Sequence, residues 1–370
     1  GKALPLEVLQ QIVVKTDGVP LFVEELTKTV LESGLLIEAD NHYKLRGPLP
    51  PLAIPSTLQD SLMARLDRLA PVREIAQMGA TLGREFSYEL LCAVSPLDEA
   101  TLQQGLHRLV EAELIYQREL PPQATYLFKH ALIQDTAYQP LLKSKRQQLH
   151  QQIAQVLMQR FPETCESQPK LRAHHYTEAG LKEQSLPYWQ QAGQRAIQRS
   201  ANVEAISHLT KGLELLKTLP DTPERNQQEL TLQLALGAPL IATMGYSASE
   251  FGQVYSRARE LCQQLGELPE LFPTLYGLTA FSIVRGKLQT ARELSEQLLR
   301  LAHSTSDSSF LVLAHRALGT TLLHLGEFAS AQEHFKQGLA VYDPQQHRSL
   351  MFVYGVDPKV ACLCFMVQTS

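Results

Sequence analysis

The chain has 370 residues, of which 44% are hydrophobic and 19% are charged, and its formal net charge is −4 at pH 7. This balance is typical of a globular protein of about two or three domains, and it argues against a chain built mainly to neutralise nucleic-acid phosphates. The five cysteines form no disulfide framework, no secretory signal opens the chain, and the longest apolar run is far below the roughly 20 residues of a membrane span. We therefore expect a cytoplasmic protein without a membrane segment.

The first 55 residues predict two helices followed by a linker. Asp17-Gly18-Val19-Pro20 separates two runs with helical periodicity, and Gly34 is suited to end the second. Residues 37–55 predict a hairpin-like excursion and then a proline-rich linker, which marks a domain boundary. The turn at residues 17–20 is chemically distinctive, because proline presents a rigid apolar ring and glycine lets the backbone bend beside it.

Residues 56–160 predict a group of short helices and a β-hairpin. Residues suited to start the helices are Ser56, Pro71, Ser87 and Asp98. The β-prone runs at 114–118 and 125–128 flank a proline-containing turn. Three helices with one β-hairpin are the outline of a winged helix, and a further helix is expected from His130 onward.

From about residue 161 the chain predicts repeated helical hairpins. The clearest repeat has the tetratricopeptide pattern, which is carried by Leu318, Gly319, Leu322, Gly326, Phe328, Ala331, Phe335, Gly338 and Pro344. A second repeat is offset by 40 residues, with Gly286 and Ala291 corresponding to Gly326 and Ala331. Small residues at these positions let paired helices approach closely. We expect an α-solenoid over residues 161–370 that is truncated at its C-terminus, because the apolar helix over 359–370 has no helix after it to cover it.

Catalytic and metal-binding motifs are absent from the sequence. It contains no GxxxxGK[ST] phosphate loop, no HExxH and no paired CxxC. His174 and His175 are adjacent, so on a helix they point in different directions and are poor joint ligands. We expect neither catalytic residues nor a metal site in this chain.

The winged-helix outline raises the question of DNA binding. The helix that would enter the groove spans about residues 98–112, and it carries Asp98, Glu99, His107, Arg108 and Glu111. Phosphate attraction by this set is close to absent, so we expect a packing or regulatory role. We interpret the basic run Lys143–Arg146 as a solvated helix face with charge that is favourable to the helix dipole, with a phosphate or partner contact as the alternative.

Several separated stretches resemble one bacterial group. In chain order they are KTDGVPLFVEELTKTVLESGLL, PLAIPSTLQDSLMARLDRLAP, FKHALIQDTAY, AHHYTEAG and RSANVEAISHLTKGLELL. They are similar to large signal-transduction ATPases of the STAND class, which are often fused to a class III adenylate/guanylate cyclase domain or a protein kinase domain and have a tetratricopeptide tail. In such proteins the cyclase and P-loop ATPase domains lie upstream, so the resemblance implies a C-terminal regulatory half.

The resemblance also implies a domain plan and a function. The plan is a helical lid remnant with its linker over 1–55, a winged-helix-like domain and following helix over 56–160, and a tetratricopeptide-like solenoid over 161–370. The implied function is non-catalytic: a protein or small-molecule inducer on the repeats biases a nucleotide-dependent switch in a P-loop domain. ATP or ADP belongs to the full-length relative, and no cofactor is expected in this chain. The alternatives are a stand-alone tetratricopeptide scaffold and a winged-helix transcription regulator.

Two motifs of the family can be matched residue by residue. STAND ATPases have a Gly-x-Pro turn whose proline packs against the adenine, and Gly18-Val19-Pro20 matches it. His130 matches the histidine of a Met-His-Asp motif that contacts the phosphates of ADP, although Lys129 replaces the methionine and Ala131 the aspartate. The residues alone leave two alternatives open, an ordinary proline-started helix for the turn and a capping or core role for His130.

Overall fold

The protein is described by a computed structural model over residues 2–39, 42–46, 57–69, 72–266, 269–305, 307–354 and 356–369. It divides into two compact units. The N-terminal unit comprises residues 1–165 and 175–180, and the C-terminal unit comprises residues 166–174 and 181–370. The predicted proline-rich linker and the predicted helix starts at Ser56 and Pro71 lie outside the described residues. None of the described helices is both long enough and apolar enough to cross a membrane.

The N-terminal unit begins with two helices and a hairpin, as predicted. These elements are α1 (Leu6–Thr16), α2 (Pro20–Glu32), β1 (Leu36–Glu38) and β2 (Tyr43–Leu45). Val8, Ile12, Leu26 and Val30 are buried and form the apolar contact between the helices. The hairpin is antiparallel and pairs Leu36 with Leu45. Apolar residues at helical spacing therefore give this segment its own small core.

The rest of the N-terminal unit is a group of helices around a small sheet. Its elements are α3 (Leu58–Arg68), α4 (Arg73–Leu82), β3 (Glu85–Ser87), α5 (Tyr88–Val94), α6 (Glu99–Glu111), β4 (Ile115–Arg118), β5 (Thr125–Phe128), α7 (Ala131–Tyr138) and α8 (Lys143–Arg160). The helices α9 (Pro162–Ser167) and α10 (Pro169–Glu178) follow. Strands β4 and β5 confirm the predicted hairpin, and β3 joins them to give the order β3-β5-β4.

Helix starts in this region follow capping chemistry. Ser87 accepts a hydrogen bond from the backbone N–H of Leu90, and Asp98 accepts one from Thr101, which confirms both predicted caps. Helix α3 is capped by Thr57.

The interpretation of the basic run Lys143–Arg146 as dipole-favourable is wrong. Helix α7 ends at Tyr138, and Leu142 has an extended backbone that starts α8 at Lys143. The basic side chains therefore lie in the first turn of α8, at the positive end of its dipole, where cations are unfavourable.

The C-terminal unit is mainly α and forms the predicted solenoid of tetratricopeptide-like hairpins. Its helices are α11 (Lys182–Gln198), α12 (Asn202–Leu216), α13 (Pro223–Met244), α14 (Ser249–Leu265), α15 (Leu271–Val284), α16 (Leu288–Ser304), α17 (Ser308–His324), α18 (Phe328–Val341), α19 (Pro344–His347), α20 (Leu350–Tyr354) and α21 (Pro358–Met366). Consecutive helices from α11 to α18 pack in sequence as hairpins, and α21 packs against α17 and α18. Hydrophobic clusters run along the stack between neighbouring helices.

Three hairpin turns in this unit share one backbone conformation and one hydrogen bond. Gly286 and Gly326 have φ angles of 71° and 82°, and Ser200 occupies the corresponding turn after α11 with φ 58°. After each of them, the next backbone N–H bonds to the carbonyl five residues earlier, at 2.8 to 2.9 Å. This is a helix C-cap with a left-handed residue, which glycine adopts without steric cost. The 40-residue offset read from the sequence is thus a repeat of structure.

Close helix approach at small residues is also confirmed. Ala291 and Ala331 are fully buried where paired helices cross. A Cβ atom added at Gly319 would lie 2.6 Å from the ring of Phe335, so α17 and α18 pack at a distance that only glycine permits.

Three histidines lie together between α16, α17 and α18. His315 is 7% exposed, and its Nδ1 atom lies 3.1 Å from Nδ1 of His334. The ring of His303 meets that of His315 edge-on, with centroids 6.4 Å apart. Burial, and then the charges of His334 and His303, lower the pKa of His315 to about 4.

We predict that His315 makes the chain less stable in mild acid. Its folded pKa lies below its unfolded value of 6.5, so the unfolded chain takes up the proton first, and stability is lost as pH falls from about 6.5 towards 4. The loss from this one group should reach on the order of 3 kcal/mol near pH 4. Urea unfolding of wild type and His315→Gln at pH 7 and pH 4.5 measures it. The variant should lose less stability between the two pH values.

The matched control His107→Gln, at an exposed histidine of α6, should behave as wild type. Equal losses in wild type and His315→Gln would contradict the assignment.

Candidate functional site

The Gly18-Val19-Pro20 turn forms an exposed corner between α1 and α2. Asp17 and Gly18 both have positive φ angles, of 49° and 73°. Val19 is extended and accepts a hydrogen bond of 2.9 Å from the N–H of Val23, and Pro20 is the first residue of α2. All residues of the corner face solvent. The corner therefore presents a fixed apolar ring beside accessible backbone, as the first helical turn favours for proline.

His130 lies at the start of α7, directly after β5, as the sequence predicted. It occupies the N-cap position with an extended backbone, yet its side chain makes no capping bond. The capping alternative for His130 is therefore wrong. Its Nε2 atom is buried and has no hydrogen-bond partner among the described residues. Such an unpaired polar atom costs about 1–3 kcal/mol, so a hydrogen-bonding ligand at Nε2 would recover part of that cost.

Lys129, the neighbour of His130, belongs to an ion-pair cluster with Glu24, Lys28 and Glu113, which we name the Lys129 cluster. Nζ of Lys129 lies 2.7 Å from Glu24 and 3.3 Å from Glu113. Lys28 pairs with the same two carboxylates. The hydrogen bond from Lys129, and then that from Lys28, lower the pKa of Glu24 to about 2, while the bond to Glu24 raises the pKa of Lys129. At neutral pH Glu24 and Lys129 are therefore both charged.

The Lys129 cluster joins the two motifs. Glu24 lies on α2, one helical turn after Pro20, and Lys129 directly precedes His130. One turn of α-helix is about 5.4 Å, so the charge that holds Lys129 sits close to the Gly18-Val19-Pro20 corner. The replacement of methionine by Lys129 thus gives α2 an ionic contact with the segment that carries His130.

A second, buried contact holds α2 on α3. The carboxylate of Glu25 is fully buried and pairs with Arg65, whose side chain is 2% exposed. Arg65 also donates to the carbonyl of Ala112 at the end of α6. Beside this pair, the hydroxyls of Thr29 and Ser61 lie 2.6 Å apart. We name Glu25, Thr29, Ser61 and Arg65 the Arg65 network. Because a buried charge is costly unless it is paired, the network fixes α2 relative to α3 and α6.

The C-terminal unit offers cavities on its repeats. One of about 330 Å³ lies between α15 and α17 and includes Tyr276 and Arg316 in its walls. Another of about 430 Å³ lies against α13 and α14 and includes Glu229 and Arg257, which form an ion pair of 2.7 Å. Both are of the size that small ligands occupy. The described residues contain no group of three or more metal-ligating side chains.

The proteins to which this chain is similar match most of its length, but at low sequence identity. No protein-family model matches. A protein of Rhizobium meliloti (strain 1021), described as uncharacterized, is 25% identical over 348 residues, which are 93% of this chain and 33% of that protein. The chain therefore spans about a third of the length of this curated relative.

Two solved structures are similar at still lower identity. One is a STAND protein with a tetratricopeptide repeat sensor from Pyrococcus horikoshii, with 9% identity and a TM-score of 0.39 over 97% of this chain and 59% of that one. The other is a Rap protein complexed with Competence and Sporulation Factor, with 12% identity and a TM-score of 0.36 over 84% of this chain and 77% of that one.

Sequence reasoning missed the Arg65 network and Arg316. A signal for each was present, because Glu25 and Arg65 stand within the apolar stripes of α2 and α3, where an unpaired charge is not tolerated. Arg316 likewise interrupts the apolar sequence of α17. What the sequence did not provide was the partner of each charge.

We predict that replacing Arg65 by methionine destabilises the N-terminal unit by about 3–5 kcal/mol, because it leaves the carboxylate of Glu25 buried without a cation. Urea unfolding measures the loss, and hydrogen exchange of α2 and α3 localises it. The control Arg73→Met removes an exposed ion pair with Asp67 and should cost at most about 1 kcal/mol. The double variant Glu25→Leu/Arg65→Met should recover most of the stability. If Arg65→Met were as mild as Arg73→Met, the network would not hold α2.

Proposed function

We propose that this chain is the non-catalytic regulatory and interaction segment of a signal-transduction ATPase of the adenylate-cyclase-associated class. In this proposal, residues 1–55 are a helical lid remnant, residues 56–160 are a winged-helix-like domain, and the repeats are the sensor. A protein or small-molecule inducer on the repeats biases a closed-to-open switch in an upstream P-loop domain. An inducer can do so only if it binds the two states with different affinities.

One observation carries this proposal. The buried Nε2 atom of His130 has no hydrogen-bond partner in the part of the chain that the structure describes, and the residue before it forms an ion pair with α2, the helix that starts at Pro20. Both residues that the family resemblance assigns to nucleotide sensing therefore belong to one ionically connected part of the N-terminal unit. A histidine that served only as a core or capping residue would be expected to have its ring nitrogens satisfied.

The roles of these residues follow from their chemistry. The exposed ring of Pro20 offers an apolar face to a base, and Gly18 leaves the backbone beside it open, with nothing within 4 Å of the place a Cβ would take. Nε2 of His130 can donate a hydrogen bond to a phosphate oxygen when it carries the proton. ADP bound in the P-loop domain supplies the phosphates and the base. The Lys129 cluster holds the segment that carries His130 at a fixed position relative to the helix that starts at Pro20.

The surface of α1 supports contact with another domain. Leu6, Leu9, Val13 and Val14 are 46–81% exposed, and they lie on the helix that leads into the Gly18-Val19-Pro20 corner. An exposed apolar face of this kind marks an interaction surface. We assign this apolar face to a contact with the P-loop domain. That domain would then cover both α1 and the Gly18-Val19-Pro20 corner.

A stand-alone binding scaffold is the second candidate. The cavities of the C-terminal unit favour it, because they are present in the repeats without any nucleotide domain. A transcription regulator is less well supported, since His107 on α6 is paired with Glu111 at 3.1 Å and the helix presents little positive charge.

We predict that purified residues 1–370 neither hydrolyse ATP nor form cyclic AMP or cyclic GMP, because the sequence contains no phosphate loop. Phosphate release and cyclic-nucleotide formation with magnesium measure this directly. Turnover above that of buffer, if it follows the protein through two independent purification steps, would overturn the non-catalytic assignment.

We predict that His130→Ala and Pro20→Ala each weaken ADP binding by about 10-fold or more in the longest protein that the gene encodes. Hydrogen bonds to charged groups contribute about 1.5–3 kcal/mol, which corresponds to this range for His130. Titration calorimetry with ADP measures the affinity.

The matched controls are His107→Ala and Pro162→Ala, an exposed histidine and an exposed helix-starting proline of the same unit. Both should bind ADP as wild type does. If His130→Ala and Pro20→Ala also bind as wild type, the scaffold function is correct. The absence of a phosphate loop from the longest encoded protein would exclude the ATPase class altogether.

A further inference from the structure

The cavity of about 330 Å³ in the C-terminal unit has two chemically different walls. One is formed by α15 and the other by α17, and Tyr246, Val356 and Phe365 also line the cavity. Its volume lies at the lower end of the range of ligand pockets, about 300–1,000 Å³. The size fits a small molecule or a single residue of a peptide rather than a folded partner.

The α17 wall is polar and positively charged. Arg316, Thr320 and His324 follow one another at four-residue spacing, so they lie on the same face of the helix. Nδ1 of His324 donates to the carbonyl of Thr320 at 2.8 Å, which leaves Nε2 of His324 available. The wall therefore carries one permanent cation, the guanidinium of Arg316, beside the polar side chains of Thr320 and His324.

No carboxylate among the described residues pairs with Arg316. Its Nη1 atom is buried and has no hydrogen-bond partner among the described residues, and none of the ion pairs found there includes it. Burying part of a guanidinium group without an acceptor is unfavourable unless something else pairs with it. The cavity thus contains a donor group that lacks an acceptor.

The α15 wall is apolar and positions the arginine. Ala280, Ile283 and Val284 line it, and Cζ of Arg316 lies 5.7 Å from the centre of the Tyr276 ring. This cation–π contact holds the guanidinium without using its N–H groups. Burial raises the pKa of Tyr276 to about 12, so its hydroxyl stays neutral at pH 7 and does not supply the missing negative charge.

We propose that this cavity binds a small amphipathic carboxylate, with the carboxylate on Arg316 and the apolar body against α15. The proposal rests on the proposed function in that it names the ligand class of the repeats. Carboxylate geometry matches the planar fork of arginine with two parallel hydrogen bonds. A phosphate group would bring a second negative charge into a space with one permanent cation and an apolar wall, which is costly. The ligand source is either a free acid or the C-terminal residue of a peptide.

The test uses the whole chain and two probes, 4-phenylbutyrate as the free acid and N-acetyl-leucyl-phenylalanine as the peptide end. The primary amide of each probe is the matched ligand control. Saturation-transfer NMR detects binding, and titration calorimetry gives the affinity. We expect at least one acid to bind and its amide to bind at least 10-fold more weakly. The acid that binds more tightly identifies the source.

Protein variants locate the site. Arg316→Gln should weaken acid binding by at least 10-fold and remove the preference for acid over amide, and Ala280→Phe should abolish binding by filling the cavity. The matched control Arg300→Gln, at an exposed arginine of the neighbouring α16, should bind as wild type does. Circular dichroism confirms the fold of each variant. If Arg316→Gln does not fold, Ala280→Phe and the amide comparison still decide the outcome.

The proposal is overturned if acid and amide bind equally, if Arg316→Gln binds as Arg300→Gln does, or if neither acid binds at concentrations up to about 1 mM. Its failure is distinguishable from that of the proposed function. Acid binding at Arg316 that leaves ADP affinity unchanged in the longer protein would retain the site and remove its connection to the switch. Loss of ADP affinity in His130→Ala without any acid binding would retain the switch and remove this ligand class.

Discussion

The buried pair of Glu25 and Arg65 is the constraint on which the N-terminal unit depends. Neither charge has access to water, and the carboxylate of Glu25 is tolerated there only while Arg65 is in place. Arg65 also lies 3.3 Å from the carboxylate of Glu32. Two apolar helices of similar sequence could slide or rotate against one another at small cost, but a buried ion pair allows one arrangement. The pair fixes α2, and α2 in turn positions Pro20 at its first residue and Glu24 one turn later. The surface Lys129 cluster adds a second point of attachment, so the two motif segments are held from both faces of one helix.

The C-terminal unit is ordered by a different principle. Its hairpins are specified by small residues at crossings and by a left-handed residue at turns, and these features act locally. Charged side chains between its helices have partners, as Glu229 has Arg257 and Arg292 has Glu327, and this is what makes Arg316 informative. In the N-terminal unit a buried charge has a partner supplied by the fold. In the repeats the guanidinium has an aromatic ring beneath it and a cavity in front of it.

Local and periodic features of the structure could be predicted from the sequence, whereas pairings between distant residues could not. The proline-started helix, the caps at Ser87 and Asp98, the β4–β5 hairpin and the 40-residue repeat all depend on neighbours within a few residues or on a period. Strand β3 was missed because three residues are too few to show alternation. The start of α8 was missed although Pro140 marks the break between α7 and α8. At the candidate site, residues 18–20 and 130 were identified singly, but Glu25 and Arg65 are far apart in the chain, and so are Glu24 and Lys129. Only the fold brings them together.

The repeated turn closure has a mechanical consequence. Each hairpin from α11 to α18 packs chiefly on its neighbours, and the longer-range contacts that must break before the stack can lengthen include the hydrogen bond from the Tyr246 hydroxyl to the carbonyl of Tyr354. Tension applied along the solenoid would be taken up one hairpin at a time, in steps of similar length, while the turns at Ser200, Gly286 and Gly326 keep their hydrogen bonds. We expect a stack of this kind to respond to tension as a graded spring. Its extension could report a pull from a bound partner continuously, where a single compact domain would respond only by unfolding.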